Sequence, residues 1–219
     1  MKIPWLLFQL SDSALPTGGF AHSGGLEAAK QQELIEPAQL RPFLRDALWQ
    51  AGHFGLPLLS AAHEDPAALP RLDQRADAFL TSHVANRASR TQGRAFLHTC
   101  ARIFPEQLSA LRDATQASGL RQHHAPIFGA SMRTLDVDRA VAQQLFLSQV
   151  LRNLLFAAVR LALAGTHQAQ RLQWQLAPVL DEVLRACANL REDEIAQTAP
   201  LADLVGSVHD RLYSRLFQS

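Results

Sequence analysis

The sequence predicts an all-α protein, and three observations carry that prediction. Leu and Ala supply 36 and 35 of its 219 residues, whereas Val, Ile and Thr together supply 22. Leu and Ala favour helices, while β-branched residues favour strands. Apolar residues recur at three- and four-residue steps, and Pro and Gly mark the ends of those runs. No internal repeat, low-complexity tract or linker divides the chain. Residues 1–219 therefore read as one helical-bundle domain, long enough to bury a core without staples.

Each element follows from local pattern. A short apolar segment runs from Pro4 to Leu10, followed by a loop holding Pro16, Gly18, Gly19, Gly24 and Gly25. A helix spans about Leu26 to Leu34. The next starts near Pro37 or Pro42, since proline suits a first helical turn. Its stripe is Leu40, Phe43, Leu44, Ala47, Leu48 and Ala51, with Gly52, Gly55 and Pro57 placed to bend it before it resumes through His63. Leu69 to Phe104 reads as a helix pair or one bent helix. Another helix opens at Pro105 and stops at Gly119. Residues Leu120 to Leu135 read as irregular. Asp136 or Asp138 can cap a long central helix ending near Gly165. One further helix covers about Gln168 to Leu190, and a last one runs from Pro200 to the terminus.

Composition excludes several function classes. With 21 basic and 20 acidic side chains, the net charge of +1 leaves no footprint for nucleic acid. Cys100 and Cys187 are too few for a disulfide framework, which points to a reduced, cytoplasmic setting. The most apolar window, Leu145 to Ala164, carries Arg152, Asn153 and Arg160, so it reads as a buried helix and not a membrane span. No signal peptide is written at the N-terminus.

Nine histidines raise the question of a metal. No two stand three or four residues apart, so no helical turn offers a His pair to one ion, and neither a metal site nor a bound cofactor is expected. A site shared across a dimer axis escapes that test. Of the adjacent His123 and His124, one ring is expected to pack and the other to be solvated. Neither GxSxG nor GxxxxGK[ST] occurs, and no catalytic residue is assigned.

Two segments concentrate functional signal. The stretch Gly18-Gly19-Phe20-Ala21-His22-Ser23-Gly24-Gly25-Leu26-Glu27 leads into a helix whose amides can bind an anion. Glu27 in the first turn already complements those amides, so a tightly folded loop that lets two backbones approach is the stronger reading. A rival reading is a hydrolase using His22 and Ser23 as acid–base and nucleophile. The second segment is the C-terminus. Leu204, Val205, Val208, Leu212 and Leu216 follow Leu201 as one helical stripe, and His209, Tyr213 and Phe217 form another. Phe217 near the chain end implies docking, either onto its own bundle or onto a partner. Arg211 and Arg215 flank that face, pairing with carboxylates or meeting a partner.

The stretch from Leu10 to Glu27, LSDSALPTGGFAHSGGLE, closely resembles the N-terminal signature of the UreF family of urease accessory proteins. The ending His209 to Ser219, HDRLYSRLFQS, is similar to that family's C-terminal signature. Ala88-Ser89-Arg90-Thr91-Gln92-Gly93, His124-Ala125-Pro126-Ile127-Phe128-Gly129, and Gly165 with Gln168 and Gln170 fall between them in the family's order. Ala21 and Gly25 are mild departures, standing where Ser and a polar residue are common. The resemblance implies a non-catalytic, all-α, homodimeric adaptor of the UreF type. It implies a UreD/UreH-type accessory partner, the UreG-type GTPase and apo-urease as the assembly, which handles nickel and couples GTP hydrolysis to its insertion. The partner-contact candidates are His22, Ser23, Gly24 and Glu27 in the loop and Arg87 and Gln92 in a polar patch. Arg211, Tyr213, Arg215, Leu216 and Phe217 complete the set in the tail.

Overall fold

Leu/Ala-rich stripes broken by proline and glycine do fold as helices. The computed structural model describes residues 5–219, the side chains of residues 201 and 202 excepted, and no strand occurs among them. In chain order the helices are α1 (Trp5–Ser11), α2 (Leu26–Gln31), α3 (Leu40–Gln50), α4 (Leu56–Glu64), α5 (Leu69–Phe79) and α6 (His83–Ile103). They continue as α7 (Pro105–Ala117), α8 (His124–Thr134), α9 (Arg139–Arg160), α10 (Thr166–Gln175), α11 (Ala177–Cys187) and α12 (Pro200–Ser207). Pro4, the predicted start of the first segment, and the Leu201 side chain of the tail stripe lie outside the described residues.

α8 lies at the centre, with α4, α6 and α9 packed around it. Its Phe128 ring sits 5.0 Å from Phe96 of α6 and 5.6 Å from Phe146 of α9. α9 supplies the buried Leu147, Leu151, Leu155 and Ala158 to the same core. Small residues permit the closest approaches. A Cβ on Gly129 would fall 2.1 Å from the Leu59 carbonyl oxygen, so α4 and α8 touch backbone to backbone there. Between α3 and α4 the helix widens into a π turn, Ala51–Gly55, where the Gly52–Gly55–Pro57 cluster predicts a bend. The Leu69 to Phe104 run is a pair, broken at Leu80–Ser82 where Ser82 accepts from the Ala85 amide.

Four expectations are corrected. Residues 120–135 are mostly helical as α8, because Asp73 of α5 accepts the Arg121 and His123 amides, each at 2.7 Å, and turns the chain in four residues. Pro126 then falls in the first helical turn, where its missing amide costs nothing. The 168–190 helix is two, since Pro178 has no amide to continue α10 and opens α11. Asp138 occupies the N-cap position of α9 without a side-chain bond, and Asp136 takes a left-handed conformation (φ 56°) instead of capping. The C-terminal helix stops at Ser207; a 3-10 turn follows over Val208–Arg211, and Leu212 turns extended (ψ 138°). Neither tail stripe survives that break. Phe217 and His209 are buried, whereas Leu204, Leu216 and Tyr213 face solvent.

Candidate functional site

The Gly-rich loop earns its glycines. Gly24 and Gly25 take φ of 60° and 89°, a region L side chains rarely adopt, and a Cβ on Gly24 would also meet Leu154 at 2.7 Å. The turn they make starts α2 at Leu26 and buries Glu27 completely. The Glu27 carboxylate does not serve its own helix amides, contrary to the sequence-based expectation. It accepts instead from the C-terminal segment: from His209 Nε2 at 2.8 Å, the Leu216 amide at 2.6 Å and the Phe217 amide at 3.2 Å. A buried carboxylate needs such donors, because its desolvation is otherwise uncompensated.

Further bonds lay the tail along the loop as a strap. The Gln218 amide donates to the Ala21 carbonyl at 2.8 Å, and the Ser23 amide to the Ser219 carbonyl at 2.6 Å. His22 Nδ1 and Ser219 Oγ stand 2.6 Å apart. Arg160 of α9 lies 4.3 Å over the Phe217 ring and donates to the Leu216 and Phe20 carbonyls. Phe217 therefore docks onto its own bundle. At the strap's edge, Asp210 receives both Arg87 guanidinium nitrogens at 2.9 and 2.7 Å, with His83 at 3.1 Å and Arg215 at 3.4 Å. The Arg87 hydrogen bonds hold the Asp210 carboxyl down to about 2.

The candidate residues thus separate. His22, Ser23, Gly24, Glu27, Arg87, Arg215 and Phe217 meet at or beside the strap. Gln92 sits deeper, on a cavity wall, and Arg211 is exposed with no ion pair among the described residues. Tyr213 is fully exposed and Leu216 is 60% exposed. Phe20, flanking the same Arg160, shows 56% of its surface. Spacing could not reveal this patch, because it joins residues some 190 positions apart.

The hydrolase reading fails on geometry. Ser23 Oγ is fully buried without a hydrogen-bond partner, and His22 faces Ser219 instead. An activated nucleophile needs its base within hydrogen-bond reach and a path for substrate. Another cluster escaped the sequence reading: His123 stands 3.1 Å from Ser89 Oγ and 3.3 Å from Asp77. Ser89 also accepts the His124 amide and Asp77 also receives Asn86 and Arg121, so the group ties the loop before α8 to α5 and α6. Contributions from three separate segments left it no readable spacing. Of the adjacent pair His123 is fully buried, and His124, partly exposed on a cavity wall, packs against Phe96, Phe128 and Phe146.

Beneath the strap lies a cavity of about 310 Å³, whose wall includes His22 and His124. Burial pushes both imidazoles down to about 4, helped at His22 by the nearby Arg87 and His209. Both rings are therefore neutral in the fold and charge more readily in the unfolded chain. Stability is full above pH 6.5 and falls as pH drops toward 4, by up to roughly 3 kcal/mol for each ring. Urea midpoints measured from pH 7.5 to 4.5 will show that fall, and His124→Phe will remove about half of it, leaving the share of His22.

The class the fold defines is an all-helical protein that clamps its own C-terminal tail. The UreF family model matches residues 34–177. The urease accessory protein F of Arabidopsis thaliana is 39% identical over 98% of this chain and 92% of its own length, and that of Oryza sativa subsp. japonica 37% identical over 97% and 84%. The urease accessory protein UreF of Pseudomonas fluorescens is 30% identical over the full length of both. The chain belongs to the UreF family of urease accessory proteins, which are non-catalytic chaperones.

Proposed function

We propose that this protein is an adaptor for nickel insertion into apo-urease, bridging a UreD/UreH-type accessory protein and the GTPase UreG and gating its GTP hydrolysis. Nickel is the cargo of that assembly, and the adaptor works in the cytoplasm as a homodimer. The observation that carries this reading is the strap. Tyr213 and Leu216 are held out to solvent while Phe217 and Glu27 anchor the chain beneath them. Displaying apolar side chains from a fixed backbone lowers the ordering cost of association. Tyr213, Leu216 and Phe20 form the contact face for the UreD/UreH-type protein, with Arg211 and Arg215 at its rim and His22, Ser23, Gly24, Arg87 and Gln92 supporting it from behind. Among the described residues no helix is long and apolar enough to cross a membrane, which fits this setting.

Deleting residues 207–219 is expected to abolish pull-down of the UreD/UreH-type partner and, on co-expression with urease and its other accessory proteins, to leave urease without nickel and inactive. Undiminished pull-down would overturn the assignment. Tyr213→Ala with Leu216→Ala, both exposed, separates contact from folding: partner binding should fall about tenfold or more with an unchanged melting temperature.

A further inference from the structure

α6 carries charge of one sign. Its 21 residues include Arg87, Arg90, Arg94, Arg102, His83 and His98 and no Asp or Glu. At about 100° per residue, positions 83, 87, 90, 94, 98 and 102 all fall within one arc of roughly 120°. They make a basic stripe roughly 28 Å long at 1.5 Å of rise per residue, while Gly93, Phe96 and Cys100 face the core on the opposite side. A solvated helix face ordinarily mixes both signs, and a chain of net charge +1 has acid enough to do so. The helix dipole favours Arg102 in the last turn but opposes His83 and Arg87 near the start, so it does not account for the stripe.

The first two turns already hold an acid. Asp210 of the strap takes both Arg87 guanidinium nitrogens, at 2.9 and 2.7 Å, and His83 at 3.1 Å. A carboxylate is thus the group this stripe receives where the fold supplies one. Farther along, the fold supplies none. Arg94, His98 and Arg102 are exposed and make no ion pair among the described residues, where the ion pairs of α6 are those of His83 and Arg87. Arg94 gives only its Nε, to the Arg90 carbonyl at 3.3 Å, which leaves its terminal nitrogens facing out. Guanidinium groups one helical turn apart, at about 6 Å, match carboxylates that repeat at the same interval on a partner helix. Single-stranded nucleic acid lacks its stacking platform here, since the one phenyl ring of α6, Phe96, is fully buried. A second copy of this chain offers no complement either. Among the described helices α5 alone has two carboxylates one turn apart, Asp73 and Asp77, and its own fold uses both.

We propose that α6 docks an acidic helix of a different protein, its carboxylates one turn apart pairing with Arg94 and Arg102 and hydrogen-bonding His98 between them. Arg87 and Asp210 close the stripe at the strap end and so fix where the docked helix stops. This face is separate from the one that Tyr213 and Leu216 present, so neither reading depends on the other.

The test is a fluorescence-anisotropy titration of the full-length protein with a labelled peptide of Glu-Ala-Ala-Gln repeats, which sets a carboxylate at every helical turn. A Gln-Ala-Ala-Gln peptide and oligothymidylate serve as comparisons. The Glu peptide should bind, more weakly as salt rises, and the Gln peptide should not. Arg94→Gln with Arg102→Gln should weaken binding by about fivefold or more. The melting temperature should not change, because neither side chain forms an ion pair within the fold. Arg133→Gln with Arg171→Gln removes equal charge from exposed positions on α8 and α10 and should leave binding as it was. No binding of the Glu peptide to the wild-type protein, an equal loss in the control pair, or tighter binding of oligothymidylate overturns the proposal.

Discussion

Glu27→Ala is expected to release the C-terminal strap and to cost about 3–5 kcal/mol, since three donors lose their one acceptor at about 1–3 kcal/mol for each one left unsatisfied. The cause is arithmetic of donors. One carboxylate receives the His209 imidazole and the Leu216 and Phe217 amides, and alanine leaves all three buried without an acceptor. His209 is fully buried and its Nδ1 already lacks a partner, so the ring would lose its remaining hydrogen bond. Thermal melting should shift down by on the order of 10 °C for a chain of this size. Limited trypsin digestion should show new cleavage after Arg211 and Arg215, because the strap's backbone no longer holds its place. Glu27→Gln keeps an acceptor and should fall between the two. An alanine variant with wild-type melting and digestion would show that Arg160 and the loop backbone hold the strap without Glu27. The same variant also tests the partner face: strap release with undiminished partner binding would remove the strap from the interface.

Gly129→Ala is expected to be strongly destabilising, because it forces a methyl into the α4–α8 backbone contact. The added Cβ would lie 2.1 Å from the Leu59 carbonyl oxygen and 2.8 Å from its carbonyl carbon. The obstacle is backbone and cannot rotate away, so α4 and α8 would have to separate and lose contact along their length. Overpacking in a filled core costs 1–3 kcal/mol and sometimes more; here at least about 3 kcal/mol is expected, offsetting the gain in helix propensity severalfold. Gly165→Ala is the matched control. Nothing lies within 4 Å of its added Cβ, and the change should cost below about 1 kcal/mol. Urea denaturation of the pair measures the difference. Equal midpoints would mean that the helices can slide apart at this point without penalty.

How much could be read beforehand varies by element, for physical reasons. α3, α4 and α9 declare themselves because a single amphipathic or wholly apolar period runs through each, and the glycines and proline of the π turn mark its position. α8 did not, because Pro126, Gly129 and paired histidines are local signals for a loop. Two amide bonds to Asp73, 50 residues away, override them. The tail failed in the opposite direction. Its apolar positions keep a helical period past Ser207, but Glu27 captures the Leu216 and Phe217 amides, which a helix would have used internally. Of the candidate site, Glu27 and Phe217 were legible as residues whose burial needed explaining. That they meet was not.

By itself the sequence determined a near-neutral, Leu/Ala-rich chain that must fold as helices, and motifs at both ends that carry the family resemblance. Those properties are local, set by propensity, period and residue identity. Only the tertiary structure decided what joins the ends. The loop and the tail are each incomplete: one holds a carboxylate that must find donors, the other amides and a phenyl ring that must leave water. A buried charge and unpaired amides are satisfied only by groups the fold brings from the far end of the chain, which no spacing rule encodes. The apolar content that is featureless in the composition is divided by that closure into a buried anchor, Phe217, and exposed residues, Tyr213 and Leu216.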